Sequence, residues 1–564
     1  MIKSTVIIFL ACIAVSTPLA AQDSTALIIA RRVADKVIRE TLFEFEFLPR
    51  KQQLGMQVIE FRHLKLQKNQ VGYAFHNPQA INDTVVDFGI SSSGKISIWV
   101  NKELVYQQAS GNKGNPKEIA YGRFNFNNEF TAKLKKGKNE MLVKFEGGSG
   151  EPVIFLRPIL KSKDANNAVK FDDVLNGGWK MAAFLSQNTL LIPTEKIKTH
   201  YTAGGKMITW QTAPATFLSE LVIDTSATYR RDSYADWNYA NGATLWSLMA
   251  LENDKYVQFV KKYSHFILEN YDFFKWQYDS LHAYRGSYHR MFRQSMLDDS
   301  GTPALPFIEL YLKEKDPALK KVIDPIADYV YKEQMRLKDG TFCRPEPINY
   351  TVWADDLFMS VPFLLRMARI TGDQKYYDDA AKQVLNFKTY LLESSTGLYK
   401  HGWFSNTQEK SVAYWGRANG WVVWATTELL TWLPATHPAY KAILKMFREH
   451  IGHLVTYQEA NGMWHQLLNK PDSYEEVSCT ALFTLAIARG VRKGWIDKGF
   501  KKNAISGWNA IKKNIDADGT VHGICRGTEI GFDEQFYMDR PTIDHDPRGL
   551  GAVITAGIEI SKLK

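Results

Sequence analysis

The run Tyr414-Trp415-Gly416-Arg417-Ala418-Asn419-Gly420-Trp421 puts two indoles, a guanidinium, an amide and two glycines side by side. That mixture fits a sugar site. Indole faces stack on pyranose rings, an Arg forks onto a carboxylate, and glycines allow close backbone approach. Val422, Val423, Ala425, Leu429 and Leu430 follow at helical spacing. The polar groups therefore open a helix, where the dipole favours an anion. Two readings compete: an acidic-sugar pocket with Trp415, Arg417 and Trp421 in its wall, or an aromatic-rich helix start that only packs. Other loops favour the pocket, because they repeat the pattern of acids beside aromatics. They are Tyr234-Ala235-Asp236-Trp237-Asn238-Tyr239, Met296-Leu297-Asp298-Asp299, Val352-Trp353-Ala354-Asp355-Asp356, Asp472-Ser473-Tyr474 and Asp544-His545-Asp546.

The elements behind these loops recur. Helices are expected to open near Asn241, Asp298, Asp355, Ala418, Glu475 and Asp546, about every 60 residues. Between them lie turns at Glu252-Asn253-Asp254, Lys315-Asp316-Pro317, Thr371-Gly372-Asp373, Pro434-Ala435-Thr436 and Lys493-Gly494-Trp495. Two helices and one turn per step is a repeated helical hairpin. Six such hairpins close into an all-α (α/α)6 barrel; an open solenoid is the alternative. If the six openings are the inner helices, their loops gather at one end and form one pocket.

The N-terminal part has a different texture. Lys3, the apolar run Val6 to Val15 and Pro18-Leu19-Ala20-Ala21 read as a signal peptide over 1–21, implying a periplasmic or secreted protein. A short membrane anchor, or a lipoprotein acceptor at Cys12, is the alternative. Residues 22–54 are a helical segment, with Ala26, Ile29, Ala30, Val33, Ala34 and Val37 at helix spacing. Residues 55–162 read as short strands with regular turns, an all-β jelly-roll-like sandwich. Residues 163–225 connect it to the barrel at 226–564.

Composition sets broad limits. The chain has 564 residues, 45% hydrophobic and 23% charged, with 15 Trp and 26 Tyr. That is an ordinary balance for a globular multidomain protein, and the aromatic content suits carbohydrate chemistry. The net charge of +10 is spread as mixed Lys, Arg, Asp and Glu, with no basic block interleaved with aromatics, so nucleic acid is not an expected partner. No segment after the signal reads as a membrane span, and nothing specifies an oligomeric state. Besides Cys12 there are Cys343, Cys479 and Cys525, an odd set without metal-ligand spacing.

From about residue 230 onward the chain resembles the unsaturated uronyl hydrolases of glycoside hydrolase families 105 and 88, the rhamnogalacturonyl type of family 105 above all. The resemblance rests on five segments in order. They are Trp353-Ala354-Asp355-Asp356-Leu357-Phe358-Met359, Tyr399-Lys400-His401-Gly402-Trp403, the run Trp415 to Trp421, Gly462-Met463-Trp464-His465-Gln466 and Asp472-Ser473-Tyr474-Glu475. It implies removal of a 4,5-unsaturated uronic acid from the non-reducing end of oligosaccharides made by polysaccharide lyases. The enol ether is hydrated, with no metal or redox cofactor. One Asp protonates C4 and assists water at C5.

That catalytic Asp carries over to Asp355, with Asp356 as its neighbour and rival. Burial beside Trp353 is expected to raise the Asp355 carboxyl toward general-acid range; the bland alternative is a helix cap. The second pocket acid carries over to Asp298, with Asp299 the near alternative and a capping pair the bland reading. His401 carries over as the pocket histidine, and Arg417 as the partner of the uronate carboxylate. Trp353, Trp415 and Trp421 form the wall, with Tyr239 on the first loop and His465 in a further matching segment. Tyr284-Arg285-Gly286-Ser287-Tyr288-His289-Arg290 reads as structure, with reach to subsites beyond the cleaved sugar as the alternative, and Gly519 to Gly523 is a turn closing the barrel rather than a phosphate cradle. All these segments follow residue 230, so the sandwich is expected to pack on the barrel without holding the catalytic acid; whether it binds glycan or only braces the barrel is left open by the sequence. The rival functions are a conventional inverting glycosidase using Asp298 and Asp355, and a non-catalytic glycan-binding protein.

Overall fold

The computed structural model describes residues 25–43, 57–112, 114–118, 124–159, 234–280, 288–346 and 348–563. It also describes short strands within 169–170, 179–184, 200–203, 206–209 and 211–212. The signal segment with Cys12, most of the connecting segment and Tyr284 to Ser287 lie outside the described residues.

Twelve helices among the described residues build the barrel. They are α1 (Thr25–Glu40), α2 (Tyr239–Met249), α3 (Asp254–Ser280), α4 (Gly301–Glu314), α5 (Lys320–Asp328) and α6 (Asp355–Thr371). They continue as α7 (Gln374–Leu391), α8 (Gly416–Trp432), α9 (Tyr440–Leu454), α10 (Val477–Arg492), α11 (Lys501–Ile511) and α12 (Pro547–Ser561). The inner ring runs α2–α4–α6–α8–α10–α12 and closes back on α2. The outer helices α3, α5, α7, α9 and α11 each return against the inner helix before them.

Sequence pattern explains the two layers. From Gly416 to Leu430 every residue of α8 is buried, as an inner helix surrounded on all sides requires. In α9 only Ile443, Met446, Phe447, His450, Ile451 and Leu454 are buried, a single stripe against the ring. Inner helices start on side-chain caps at Asn238, Glu476 and Asp546, each accepting from a backbone N–H of the first turn. Gly372, left-handed at φ 71, ends α6, and Asp373 caps α7.

The sixth outer position is filled from the other side of the β-rich region. Helix α1 lies on α12 and shares the barrel's hydrophobic core through Ala26, Ala30, Val33, Ala34 and Val37. The contact is close because it uses small residues: a Cβ on Gly557 would stand 2.8 Å from the Ala30 Cβ. Lys36 pairs with Asp518 at 2.9 Å and Lys255 with Asp35 at 2.6 Å. A barrel boundary at residue 226 therefore leaves out one helix. The apolar stripe of α1 is legible in sequence, but its partner lies more than 500 residues away.

Between α1 and α2 stand two antiparallel sheets. The four-stranded sheet has the spatial order Gln57–Glu60, Val153–Pro158, Thr84–Ser91, Asn128–Leu134. The six-stranded sheet runs Gln211–Thr212, Lys180–Phe184, Val71–His76, Met141–Glu146, Ile96–Val100, Glu103–Gln108. Phe88, Ile90, Phe130, Ile98, Val143 and Phe145 fill one core between them. Trp179 and Met181 belong to that core, so the β-rich unit continues past residue 162. Val153 and Phe155 pack with Tyr278 of α3, which seats the unit on the barrel.

One end of the barrel carries a belt of charge around a cavity of about 600 Å³. Arg366 of α6 lies between Glu309 of α4 (2.8 Å) and Glu428 of α8 (3.0 Å). Arg489 of α10 lies between Glu428 (2.5 Å) and Glu559 of α12 (2.8 Å), and Arg492 adds a bond to Glu559 at 2.6 Å. Trp246 of α2 completes the circuit under the Arg366 guanidinium, 4.6 Å from the ring centre. Five of the six inner helices thus contribute an ion and the sixth an indole. Alternating signs let each buried charge meet an opposite one.

Candidate active site

At the opposite end, where the inner helices begin, lies a cavity of about 600 Å³. Asp236, Asn238 and Tyr239 reach it from the start of α2, Met296, Asp298 and Asp299 from the loop before α4, and Trp353 and Asp355 from the start of α6. Trp415 comes from the start of α8, and Pro547 and Arg548 from the start of α12. Arg526, Gly527, Thr528, Glu529, Phe536 and Arg540 close it from the segment before α12. The loop Asp472-Ser473-Tyr474, expected to contribute, does not line the cavity; Ser473 instead holds the turn at Leu467 and Lys470.

Two carboxylates share one guanidinium, with a third close by. Arg344 is almost wholly buried and takes Asp356 in a fork, Nε to Oδ2 at 2.9 Å and Nη2 to Oδ1 at 2.7 Å. Its outer edge reaches Asp298, Nη2 to Oδ1 at 2.9 Å and Nη1 to Oδ2 at 3.3 Å. Its plane lies 4.2 Å from the centre of the Trp353 ring. Asp356 is buried beneath this fork, whereas Asp355 keeps 13% of its side chain exposed toward the cavity. Asp299 touches the cavity wall, but its carboxylate is held by buried Arg293. The alternatives left open in sequence are therefore separated by geometry: Asp355 and Asp298 face the cavity, and Asp356 and Asp299 are tied beneath it. Neither facing acid is a cap. Helix α6 has Ala354 at its N-cap, and α4 has Ser300, with no side-chain cap bond at either.

His401 is fully buried behind Asp355. Its Nε2 stands 3.2 Å from Asp355 Oδ2, and its Nδ1 2.8 Å from the Tyr537 hydroxyl. Trp353 and Trp415 hold the ring at centroid distances of 5.4 and 4.8 Å. The backbone is fixed too: Ala354 N–H donates to the His401 carbonyl at 2.9 Å, and His401 N–H donates to Ala413 at 3.1 Å. His401 acts on Asp355 from behind and does not line the cavity.

The electrostatics reverse one expectation. Burial pushes the Asp355 carboxyl up, but His401 and the guanidinium groups of Arg344 and Arg417 outweigh it and hold Asp355 below its ordinary value. Asp298 moves the other way: burial raises it, Arg344 offsets only part of that, and the charges of Asp299 and Asp355 raise it further. Asp356 is pushed up to about 6, again by burial against Arg344. One guanidinium cannot hold two buried carboxylates fully ionised beside a third. Asp356 has the tighter fork, and Asp298 is the member of the pair that faces the cavity. Asp236, also in the cavity wall, is raised to about 6 by burial, with Arg290 opposing.

A family model for Glycosyl Hydrolase Family 88 matches residues 220–564, more than half of the chain. The chain belongs to Glycosyl Hydrolase Family 88. An unsaturated rhamnogalacturonyl hydrolase of Bacillus subtilis is 30% identical over 241 residues, covering 42% of this chain and 63% of that protein. An unsaturated 3S-rhamnoglycuronyl hydrolase of an Alteromonas species is 30% identical over 216 residues, covering 37% of this chain and 50% of that protein. The chain thus spans less than two thirds of either relative. A possible member of the GH105 family from Salmonella enterica has the same fold, with a TM-score of 0.52 at 20% identity over 66% of this chain and 90% of that one.

In this family 88 chain the run 414–421 divides between the two readings of it. Trp415 lines the cavity. Arg417 does not. It is 1% exposed, and its Nη1 and Nη2 donate to the Cys525 and Arg526 carbonyls and the Ser478 hydroxyl. Its guanidinium braces the segment that closes the cavity, so its assignment to a substrate carboxylate is corrected. Trp421 is likewise corrected: it is buried in the barrel, 4.7 Å from Phe358, with its ring edge behind Tyr239 at 6.3 Å. Gly416 and Gly420 serve helix packing, because a Cβ at either would meet Cys479 or Leu482 of α10. Asn419 is spent on the Tyr399 backbone. His465 is held by the Ser473 carbonyl and lies outside the cavity.

Sequence reasoning missed Arg344, Arg526, Tyr537 and Arg548. Arg344 and Arg526 lie in irregular segments without periodicity. Tyr537 sits on a five-residue helix, Glu534–Met538, and Arg548 follows Pro547 at the start of α12. The Asp-x-Arg spacing at Asp546 and Arg548 was an available signal, and the two pair at 2.6 Å. Among the described residues, no group of three or more His, Cys, Asp or Glu side chains is placed to hold a metal ion. Cys343, Cys479 and Cys525 are buried free thiols.

Proposed function

We propose that this protein removes 4,5-unsaturated uronic acid from the non-reducing end of oligosaccharides left by polysaccharide lyases. The observation that carries this is the pair of carboxylates facing one cavity in different settings, Asp355 3.2 Å from buried His401 and Asp298 sharing Arg344 with Asp356, which push Asp355 down and Asp298 up. Enol-ether hydration needs both states at once. Asp298 gives its proton to C4, and the positive charge that forms at C5 and the ring oxygen is met by water. Asp355, ionised, takes the proton of that water as the C5–O bond forms. The resulting hemiketal opens by breaking the bond from C5 to the ring oxygen. The hemiacetal left at C1 then releases the aglycone as an alcohol. One water is consumed, and solvent returns the proton from Asp355 to Asp298.

The cavity is polarised for an acidic sugar. Arg526 and Arg540 line it from the segment before α12, and Arg548 from the N-terminus of that helix. Arg526 makes no side-chain bond among the described residues, and Arg548 spends one edge on Asp546. Arg526 and Arg548 receive the uronate carboxylate in this reading. Trp353, Trp415 and Tyr239 supply the stacking faces.

The antiparallel sheets are read as a jelly-roll-like module, supported by their shared core. Export is supported by Lys3, the run Val6 to Val15 and the small residues before Gln22.

The test is incubation with lyase digests of pectin, arabinogalactan, ulvan and glycosaminoglycans. Ultraviolet absorbance of the conjugated enol ether should fall with at least one, and in heavy water one deuterium should enter at C4. Unchanged absorbance with every digest overturns the reading. The same carboxylate pair would also serve a conventional inverting glycosidase; turnover of a saturated glycoside, with the unsaturated one untouched, decides for that alternative.

A further inference from the structure

We propose that Tyr537 is a positioning residue that fixes the tautomer of His401 and thereby holds Asp355 as the base of the reaction; this rests on the reading above. Tyr537 is fully buried. Its hydroxyl oxygen accepts the Gly531 N–H at 3.0 Å and lies 2.8 Å from His401 Nδ1. Its backbone carbonyl accepts from Gln466 Nε2 at 2.8 Å, which anchors the short helix.

A phenol has one proton to donate. With Gly531 already donating to the oxygen, the hydroxyl hydrogen finds His401 Nδ1 as its acceptor. The remaining ring proton then sits on Nε2, 3.2 Å from Asp355 Oδ2, close enough to act on the carboxylate's charge though off the line of a hydrogen bond. The opposite tautomer fails at both ends. Two N–H groups would crowd one phenol oxygen while its own hydrogen had no acceptor, and the Nε2 lone pair would face a carboxylate. The two indoles against the ring prevent it from turning away. Burial also holds the Tyr537 phenol well above its ordinary value, so it stays a donor.

The charged groups around this chain are Asp298, Asp356, Arg344 and Arg417 on the Asp355 side, with Arg540 near Tyr537. None of them bonds His401. Gly531 belongs to the segment that also brings Arg526, Thr528 and Glu529 to the cavity. One covalent stretch therefore supplies both the carboxylate-binding side and the hydrogen bond that sets the base.

Tyr537→Phe removes the hydroxyl and keeps the ring. We expect kcat to fall by about 10- to 10⁴-fold, the range between loss of an outer support and a wrong tautomer, with KM little changed. The acid limb of kcat/KM should also move to higher pH. Asp355 must be ionised to act, and without a fixed Nε2–H it is held down less. Wild-type kcat, or a lower kcat with an unmoved acid limb, overturns the proposal. A second arm needs neither the variant nor turnover. In wild-type protein labelled with ¹⁵N-histidine, the His401 signal, identified by its loss in His401→Gln, should show a protonated Nε2 and an acceptor Nδ1. A protonated Nδ1 overturns it. If the wild type leaves every unsaturated oligosaccharide intact while this tautomer is present, the functional reading fails and the positioning geometry stands.

Discussion

At the scale of the residue, Asp355 carries the sharpest expectation. Asp355→Asn should bind substrate and lose roughly 10² to 10⁴ in kcat, the usual worth of a general acid–base group. Retention of a tenth of wild-type kcat would move the role elsewhere. The two acids also define a pH profile. In the proposed reaction Asp355 works ionised and is held low, so activity should persist until the pH falls below the ordinary carboxylate range. Asp298 is needed protonated and is raised, so activity should decline as pH rises through its elevated value. Kinetics across pH for wild type and Asp298→Asn check this, because the variant should lose the alkaline limb along with most of its rate. The cations separate in the same way. Arg526→Met should raise KM on the order of tenfold to a hundredfold, the worth of a charge-assisted hydrogen bond, and should narrow the preference for free acid over methyl ester. Arg417→Lys should instead lower the melting temperature, since its donors brace the Cys525 and Arg526 carbonyls. Equal KM values for Arg526→Met and wild type would return the carboxylate to another partner. Asp298 and Asp355 could be placed at the cavity from sequence because both open inner-helix repeats, and His401 could be placed beside Asp355 only through the family resemblance. Arg417 was misplaced because a motif gives the spacing along the chain but not the face on which a helical side chain emerges.

At the scale of the element, the inner helices have one chemical end and one structural end. The charge belt is the structural one, and Glu428 is its centre, held between Arg366 and Arg489. Glu428→Gln would leave two buried guanidiniums sharing two carboxylates, so we expect a loss of about 3–5 kcal/mol with kcat preserved in the folded fraction. Burial pushes the Glu428 carboxyl up, but Arg489 and Arg366 outweigh it and hold it below its ordinary 4.5. A depressed carboxylate stabilises fully above its unfolded value and is lost as pH falls through its folded one. The melting-temperature gap between wild type and Glu428→Gln should therefore be constant from neutral pH to about 4.5 and close below it; a gap that widens on acidification would contradict this. The six helix openings were legible because each follows a polar, aromatic loop and precedes an apolar run. The belt was not, because Glu309, Arg366, Glu428, Arg489 and Glu559 look in sequence like ordinary solvated charges on separate helices.

At the scale of the whole molecule, the barrel is assembled from two stretches with the β-rich unit inserted between them. The helix α1 pattern was readable, but its docking site was not, since apolar periodicity names a buried face and never its partner. A chain starting near residue 165 lacks α1 and exposes the face of α12 around Gly557. We expect it to aggregate, and the same chain with residues 25–43 restored through a flexible linker to recover soluble, cooperative melting. Wild-type melting of the shorter chain would show that α1 is dispensable. The arrangement also has a consequence in time. At about 5–20 residues per second, the ribosome makes α1 roughly half a minute to two minutes before the helix it must cover. Throughout that interval the apolar stripe of α1 has no native partner, and the ring has no closing seam. A polypeptide released before α12 is made keeps both faces bare, so the barrel can close only on a chain carried through to its last helix.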